Sequence, residues 1–153
     1  MTTDAALSVT MGGVNIEEAD ALDVLGMKVQ CDFRWTEHIF HVAKEAFKCL
    51  GFLRRCRSFL TPFDLLTIYT ATIRPRLEYN SHVWAGAPIH VLGLLDRVQE
   101  RAKKLIGDGR VANSIDSLEH RRSLGCVSLF YRYYNGFCSR EKRDIILKTR
   151  NFQ

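Results

Sequence analysis

The chain has 153 residues, 46% of them hydrophobic and 25% charged, with a net charge of +5. That length fits one domain and that apolar fraction supplies a core, so wholesale disorder is excluded. No run approaches the roughly 18 consecutive apolar residues of a membrane helix, and Met1 to Met11 lacks the basic-then-apolar order of a secretory signal, so an intracellular protein, nuclear or cytoplasmic, is expected.

Residues 7–16 predict two short strands around the Gly12-Gly13 turn. Val24 to Val29 predicts a further strand interrupted by Gly26. Together these make a small sheet that needs a helix to pack on.

From Thr36, a natural N-cap, the period turns helical. Ile39, Ala43, Ala46, Leu50 and Leu53 recur at spacings of three and four. Gly51 in that run suggests close approach of another backbone. Thr61-Pro62-Phe63-Asp64 is a helix start: threonine caps, proline fits the first turn, and aspartate faces the positive dipole end. Pro75 should kink or end this helix by pushing Arg74 off helical dihedrals, and Leu77 to Trp84 then continues as a bent helix.

Pro88 opens the next helix. Leu92, Leu95, Val98, Ala102, Leu105 and Ile106 form its apolar stripe, and Gly107-Asp108-Gly109 stops it. Ser114 to Arg122 predicts a short helix, separated by Gly125 from an aromatic helix, Leu129 to Tyr134, that ends at Asn135-Gly136. The tail from Arg140 is charged and expected to fray.

The charge is unevenly spread. Residues 1–30 hold five acids (Asp4, Glu17, Glu18, Asp20, Asp23) and one base, Lys28, a balance of −4; the other 21 bases and 12 acids leave +9 in residues 31–153. A polyanionic partner suits that larger part. The five cysteines (Cys31, Cys49, Cys56, Cys126, Cys138) form no Cys-x-x-Cys pair, which argues against a zinc ribbon and for free thiols. Cys31, His38, His41 and Cys49 match no standard zinc spacing. Ser, Cys and His show no nucleophile signature, and Gly107-x-Gly109 follows a helix instead of preceding one, unlike a phosphate loop.

Five blocks, in order, resemble the post-palm and thumb region of reverse transcriptases of non-LTR (LINE-type) retrotransposons. Leu25-Gly26-Met27-Lys28-Val29 with Phe33-Arg34-Trp35-Thr36-Glu37-His38-Ile39 is similar to the passage where the last palm strands give way to the thumb. Ala43-Lys44 with Leu50-Gly51-Phe52-Leu53-Arg54-Arg55 follows. Next comes Tyr69 to Tyr79, containing Ile73-Arg74-Pro75-Arg76-Leu77-Glu78, with Val83-Trp84 behind it. The last two are Leu95 to Ala102, and Leu118 to Arg122 with Phe130-Tyr131 and Tyr134-Asn135-Gly136. The resemblance covers roughly residues 22–140.

The resemblance implies a mainly α fold: a thumb-like bundle of about five helices, with a small N-terminal β hairpin or sheet from the end of the palm. It divides the chain into an end-of-palm strand segment (1–35), a helical domain (36–138) and a charged tail (139–153). It implies RNA or an RNA–DNA hybrid as partner, together with a palm and fingers domain supplied elsewhere, no membrane, and self-association through the surface that met the palm. The chain departs from the family in one decisive respect. It lacks the aromatic-Ala-Asp-Asp turn, contains no Asp-Asp pair, and starts after those motifs would end. Two-metal polymerases need such acids, so no catalysis and no cofactor is expected of this chain; magnesium belongs to the missing palm. Asp20, Asp23 and Asp32 are the acids from which an enzymatic reading would have to build a site.

The candidate nucleic-acid-binding residues are basic. Lys44, Lys48, Arg54, Arg55 and Arg57 lie in or beyond the second half of the first helix, where they either track phosphates or answer the negative helix end. Arg74 and Arg76 flank Pro75, near Tyr79 and Trp84; the aromatics are expected to fill the core. Arg97, Arg101 and Lys104 form one helical flank and, with Lys103, a second basic cluster, among which Asp96 and Glu100 sit close enough to form intrahelical pairs. Arg121 and Arg122 complete the set. At least half of Phe130, Tyr131, Tyr133 and Tyr134 are expected in the core.

Overall fold

The structure, a computed structural model, describes residues 9–16 and 19–137. The fold is mainly helical, preceded by two small antiparallel hairpins. β1 (Val9–Met11) pairs with β2 (Val14–Ile16), and β3 (Ala21–Val24) pairs with β4 (Met27–Gln30). The hairpins are separate two-stranded sheets, not one. Gly12 and Gly13 both take positive φ, as a tight hairpin turn requires. Leu25 and Gly26 do the same, so Gly26 sits in a turn where the sequence suggested an interrupted strand. Residues 7–8 and the charged tail lie outside the described residues.

The second hairpin is held to the helices. Met27 is buried, the Lys28 N–H donates to His38 Nδ1 at 3.3 Å, and β4 packs on α1 (Thr36–Cys56). The residue before α1 is Trp35, and no side chain caps this end; Thr36 is the first helical residue instead of the cap. Along α1 the apolar stripe turns inward as its period dictates, burying Ile39, Ala43, Ala46, Leu50 and Leu53.

A 3₁₀ turn, Arg57–Phe59, leads to α2 (Pro62–Ile68). The Thr61 hydroxyl accepts from the Asp64 N–H, and the Asp64 carboxylate accepts from the Thr61 N–H at 3.0 Å, a reciprocal cap. α2 does not stop at Pro75. It widens into a π-helical turn, Tyr69–Ile73, and continues as α3 (Arg74–Glu78). Arg74 stays helical and donates its N–H to Tyr69 O, five residues back. The wider turn accommodates the proline ring, which would otherwise clash with a carbonyl four residues back.

The chain breaks one turn later, at Asn80, whose φ of 49° is left-handed. A short α4 (Ser81–Trp84) follows, and Trp84 Nε1 donates to Tyr79 O at 3.0 Å. α5 (Ile89–Ile106) ends at Gly107, which is left-handed as a helix end prefers. The next residues do not simply stop the helix: Asp108 caps α6 (Gly109–Asn113). α7 (Leu118–Tyr134) then runs unbroken through Gly125, where the sequence suggested two helices. A single glycine costs about 1 kcal/mol in a helix interior, which does not break seventeen residues capped by Ser117.

The core gathers α1, the α2–α3 helix and α5 around Tyr69, Leu77, Trp84, Leu95 and Val98. One polar chain crosses it. The Tyr69 hydroxyl donates to Gln99 Oε1 at 3.1 Å, and Gln99 Nε2 donates to Asp116 O at 3.0 Å. Burial pushes the Tyr69 phenol well above its ordinary range, so it stays protonated as the donor. Among the described residues, no helix is long and apolar enough to cross a membrane.

Candidate nucleic-acid interface

α1 packs against α5, and a groove of about 430 Å³ opens along their seam. One wall is Phe47, Leu50, Gly51 and Arg54 of α1, continued by Arg57; the other is Arg101, Lys104 and Leu105 of α5. The spacing of three and four on each helix brings these side chains to one seam. A Cβ on Gly51 would meet nothing within 4 Å, so this glycine leaves the groove wide and does not admit another backbone.

The Arg101 guanidinium lies over the Phe47 ring, and the Arg57 guanidinium lies against Gly107. These pairings match α1 and α5 in the same direction, so their C-terminal ends lie together. Each end carries roughly −0.5 charge, about −1 for the two. Arg54, Arg57, Arg101 and Lys104 bring four positive charges, more than the two dipoles can balance. None of the four has a carboxylate partner among the described residues. The seam therefore carries a surplus of positive charge beside an apolar floor.

Most of the remaining candidates have other occupations. Lys48 pairs with Glu45 at 2.6 Å, and Arg55 lies over the Phe52 ring. Lys44 is exposed and borders a shallow apolar hollow with Phe40 and Leu94, beside the groove. Arg97 donates to the Gly93 carbonyl. Glu100 pairs within α5 with Lys103, as the spacing suggested, whereas Asp96 reaches across to Arg122 of α7 instead of pairing along its own helix.

Four arginines bond to other parts of the fold. Arg121 grips Glu78 through Nε and, at 3.0 Å, through Nη2, and Arg74 approaches the same carboxylate at 3.9 Å. The hydrogen bonds to Glu78 raise the Arg121 pKa. Arg122 is buried. Arg74 is half-buried, and Arg76 donates to Cys49 Sγ at 3.4 Å. Of the two arginines flanking Pro75, Arg74 is thus drawn into the packing beside Glu78, while Arg76 stays exposed.

The aromatics also divide differently. Trp84 is in the core, but Tyr79 is exposed and donates its hydroxyl to Leu25 O. Phe130, Tyr131 and Tyr134 are exposed and Tyr133 is half-buried, because the described helices pack only on the first turns of α7. Cys31, Cys49, Cys56 and Cys126 are free thiols. Among the described residues, no three His, Cys, Asp or Glu side chains are grouped to hold a metal ion. No family model, curated protein or solved structure matches the chain.

Proposed function

We propose that this chain grips the phosphate backbone of RNA or an RNA–DNA hybrid through the α1–α5 groove. In this reading it is a non-catalytic segment of a non-LTR retrotransposon-type reverse transcriptase. One observation carries the reading: Arg54, Arg57, Arg101 and Lys104 converge on a single seam without acids. Arginine forks match phosphate oxygens, and backbone contacts of this kind hold a strand without reading its sequence. The ordered sequence blocks described above supply the polymerase part of the reading. The metal-holding acids, and the magnesium they would bind, belong to a palm supplied elsewhere.

Fluorescence anisotropy with an end-labelled RNA–DNA hybrid at two salt concentrations tests this reading. Binding should weaken steeply with salt, by roughly 0.9 in logarithmic slope per duplex phosphate contacted. Replacing all four groove cations with glutamine should remove most of that slope. Absence of binding by the unaltered chain at low salt would sink the proposal.

A second reading, a protein-interaction module, is favoured by the first hairpin. Every residue of β1 and β2 is exposed, including Val9, Met11, Val14 and Ile16. Such a hairpin is marginal alone and offers unpaired edges to another chain. Size-exclusion chromatography with and without the hybrid separates the two readings: self-association that nucleic acid leaves unchanged supports the second.

A further inference from the structure

A second cleft, of about 480 Å³, lies between the first half of α5 and one face of α7. α5 contributes Ile89, Leu92 and Asp96; α7 contributes Glu119, Arg122 and Val127, with Cys126 beside them. Arg122 is only 6% exposed. Its Nη2 donates to Asp96 Oδ1 at 3.3 Å, while its buried Nη1 has no partner among the described residues. A guanidinium N–H withdrawn from water and left unmatched is a standing cost, and it is removed by whatever brings an oxygen to it.

The surroundings specify that oxygen. Two carboxylates, Asp96 and Glu119, share the walls with one guanidinium, so a third anion is repelled and a neutral carbonyl is favoured. Ile89 is 88% exposed and Val127 65%, so an apolar group beside the carbonyl would gain cover. Glu119 has no ion-pair partner among the described residues and asks for a cation. The same face of α7 continues with Phe130 and Tyr134, exposed and stacked on one another, which a small amide would leave bare.

We propose that this cleft receives a segment of a partner polypeptide that brings a backbone carbonyl to Arg122, an apolar side chain between Ile89 and Val127, and a basic side chain to Glu119. This is a docking mode between helices, independent of the basic groove.

Cys126 makes the proposal testable by disulfide tethering on the full chain. Three thiols are offered as mixed disulfides with 2-mercaptoethanol: acetyl-Leu-Lys-Cys-amide, acetyl-Leu-Glu-Cys-amide and hexanethiol. Equilibrium labelling of Cys126 is read by peptide mass mapping. The lysine probe should label about tenfold better than the other two. Glu119→Gln should erase the lysine-over-glutamate preference while keeping amide over hexanethiol. Arg122→Met should erase the amide preference. Should Arg122→Met fail to fold, the comparison on the unaltered chain still decides. Equal labelling by all three probes, or preference for the glutamate probe, would overturn the proposal.

Discussion

The Arg101 guanidinium carbon stands 4.7 Å from the centroid of the Phe47 ring, joining α5 to α1 beside the basic groove. The ring fixes where this charge sits. Phe47→Leu keeps an apolar side chain but loses the ring face, so Arg101 should become mobile. The expected stability loss is about 1 kcal/mol, in the range of a partly exposed cation–π contact. Affinity for an RNA–DNA hybrid should fall severalfold. Urea unfolding and anisotropy, run on the same preparation, check both.

Gly107 couples the end of α5 to the same groove. Its φ is 76°, and a Cβ there would lie 2.9 Å from Arg57 Nη2. Gly107→Ala should therefore destabilise by about 1 kcal/mol through backbone strain. It should also displace the flexible Arg57 side chain and weaken hybrid binding. Gly51→Ala, in the interior of α1 where the added methyl meets nothing within 4 Å, should shift stability the other way, upward by about 1 kcal/mol. An unfolding midpoint for Gly107→Ala equal to that of the unaltered protein would contradict this account.

Glu78 holds Arg74 and Arg121 together across α3 and α7, and its side chain is only 20% exposed. Removing the carboxylate leaves two half-buried guanidiniums short of an acceptor. Glu78→Ala should cost about 2 kcal/mol, the scale of a hydrogen bond to a charged group. Its effect on hybrid affinity should be small, because neither arginine lines the basic groove. Thermal melts paired with anisotropy separate the two outcomes.

His38 makes the docking of the second hairpin sensitive to acid. Its Nδ1 accepts the Lys28 N–H, so this contact needs the neutral ring. Burial lowers its pKa below the ordinary value, His41 lowers it further, and Asp23 opposes them. The unfolded chain protonates this histidine near pH 6.5, whereas the folded chain resists until lower pH. The contribution is complete above about pH 6.5 and is lost as pH falls toward the folded value, with a slope of at most about 1.4 kcal/mol per pH unit. Trp35 and Trp84 flank the ring at 6.2 and 6.5 Å, so their fluorescence reports the loss. His38→Gln should flatten the pH dependence of urea midpoints.

Helical class and most of the core were legible in the sequence, because Ile39 to Leu53 and Leu95 to Ile106 repeat with the period of a buried helix face. The reciprocal Thr61–Asp64 cap was legible for the same reason: its chemistry is local. What depends on distant partners was not. Leu25 gives no signal of a left-handed turn, so the second hairpin read as one broken strand. Gly125 looked like a boundary because propensity alone cannot weigh one weak residue against the rest of a capped helix. Of the twelve cations proposed for binding, Arg54, Arg57, Arg101 and Lys104 meet at one groove, since only tertiary packing sets the seam. Arg121 and Arg122 read as surface charge until Glu78 and Asp96, both more than twenty residues away, came beside them.

The π-helical turn at Tyr69–Ile73 has a consequence for insertions and deletions. A turn wound five residues back in place of four holds one amino acid more than a regular helix spans. Deleting one residue there should let the coil close to the regular wind and leave Leu77 and Glu78 on their present faces, whereas the same deletion within α3 would swing the residues after it about 100° around the axis. The surplus residue is absorbed locally, so the two halves of the helix keep facing the same neighbours.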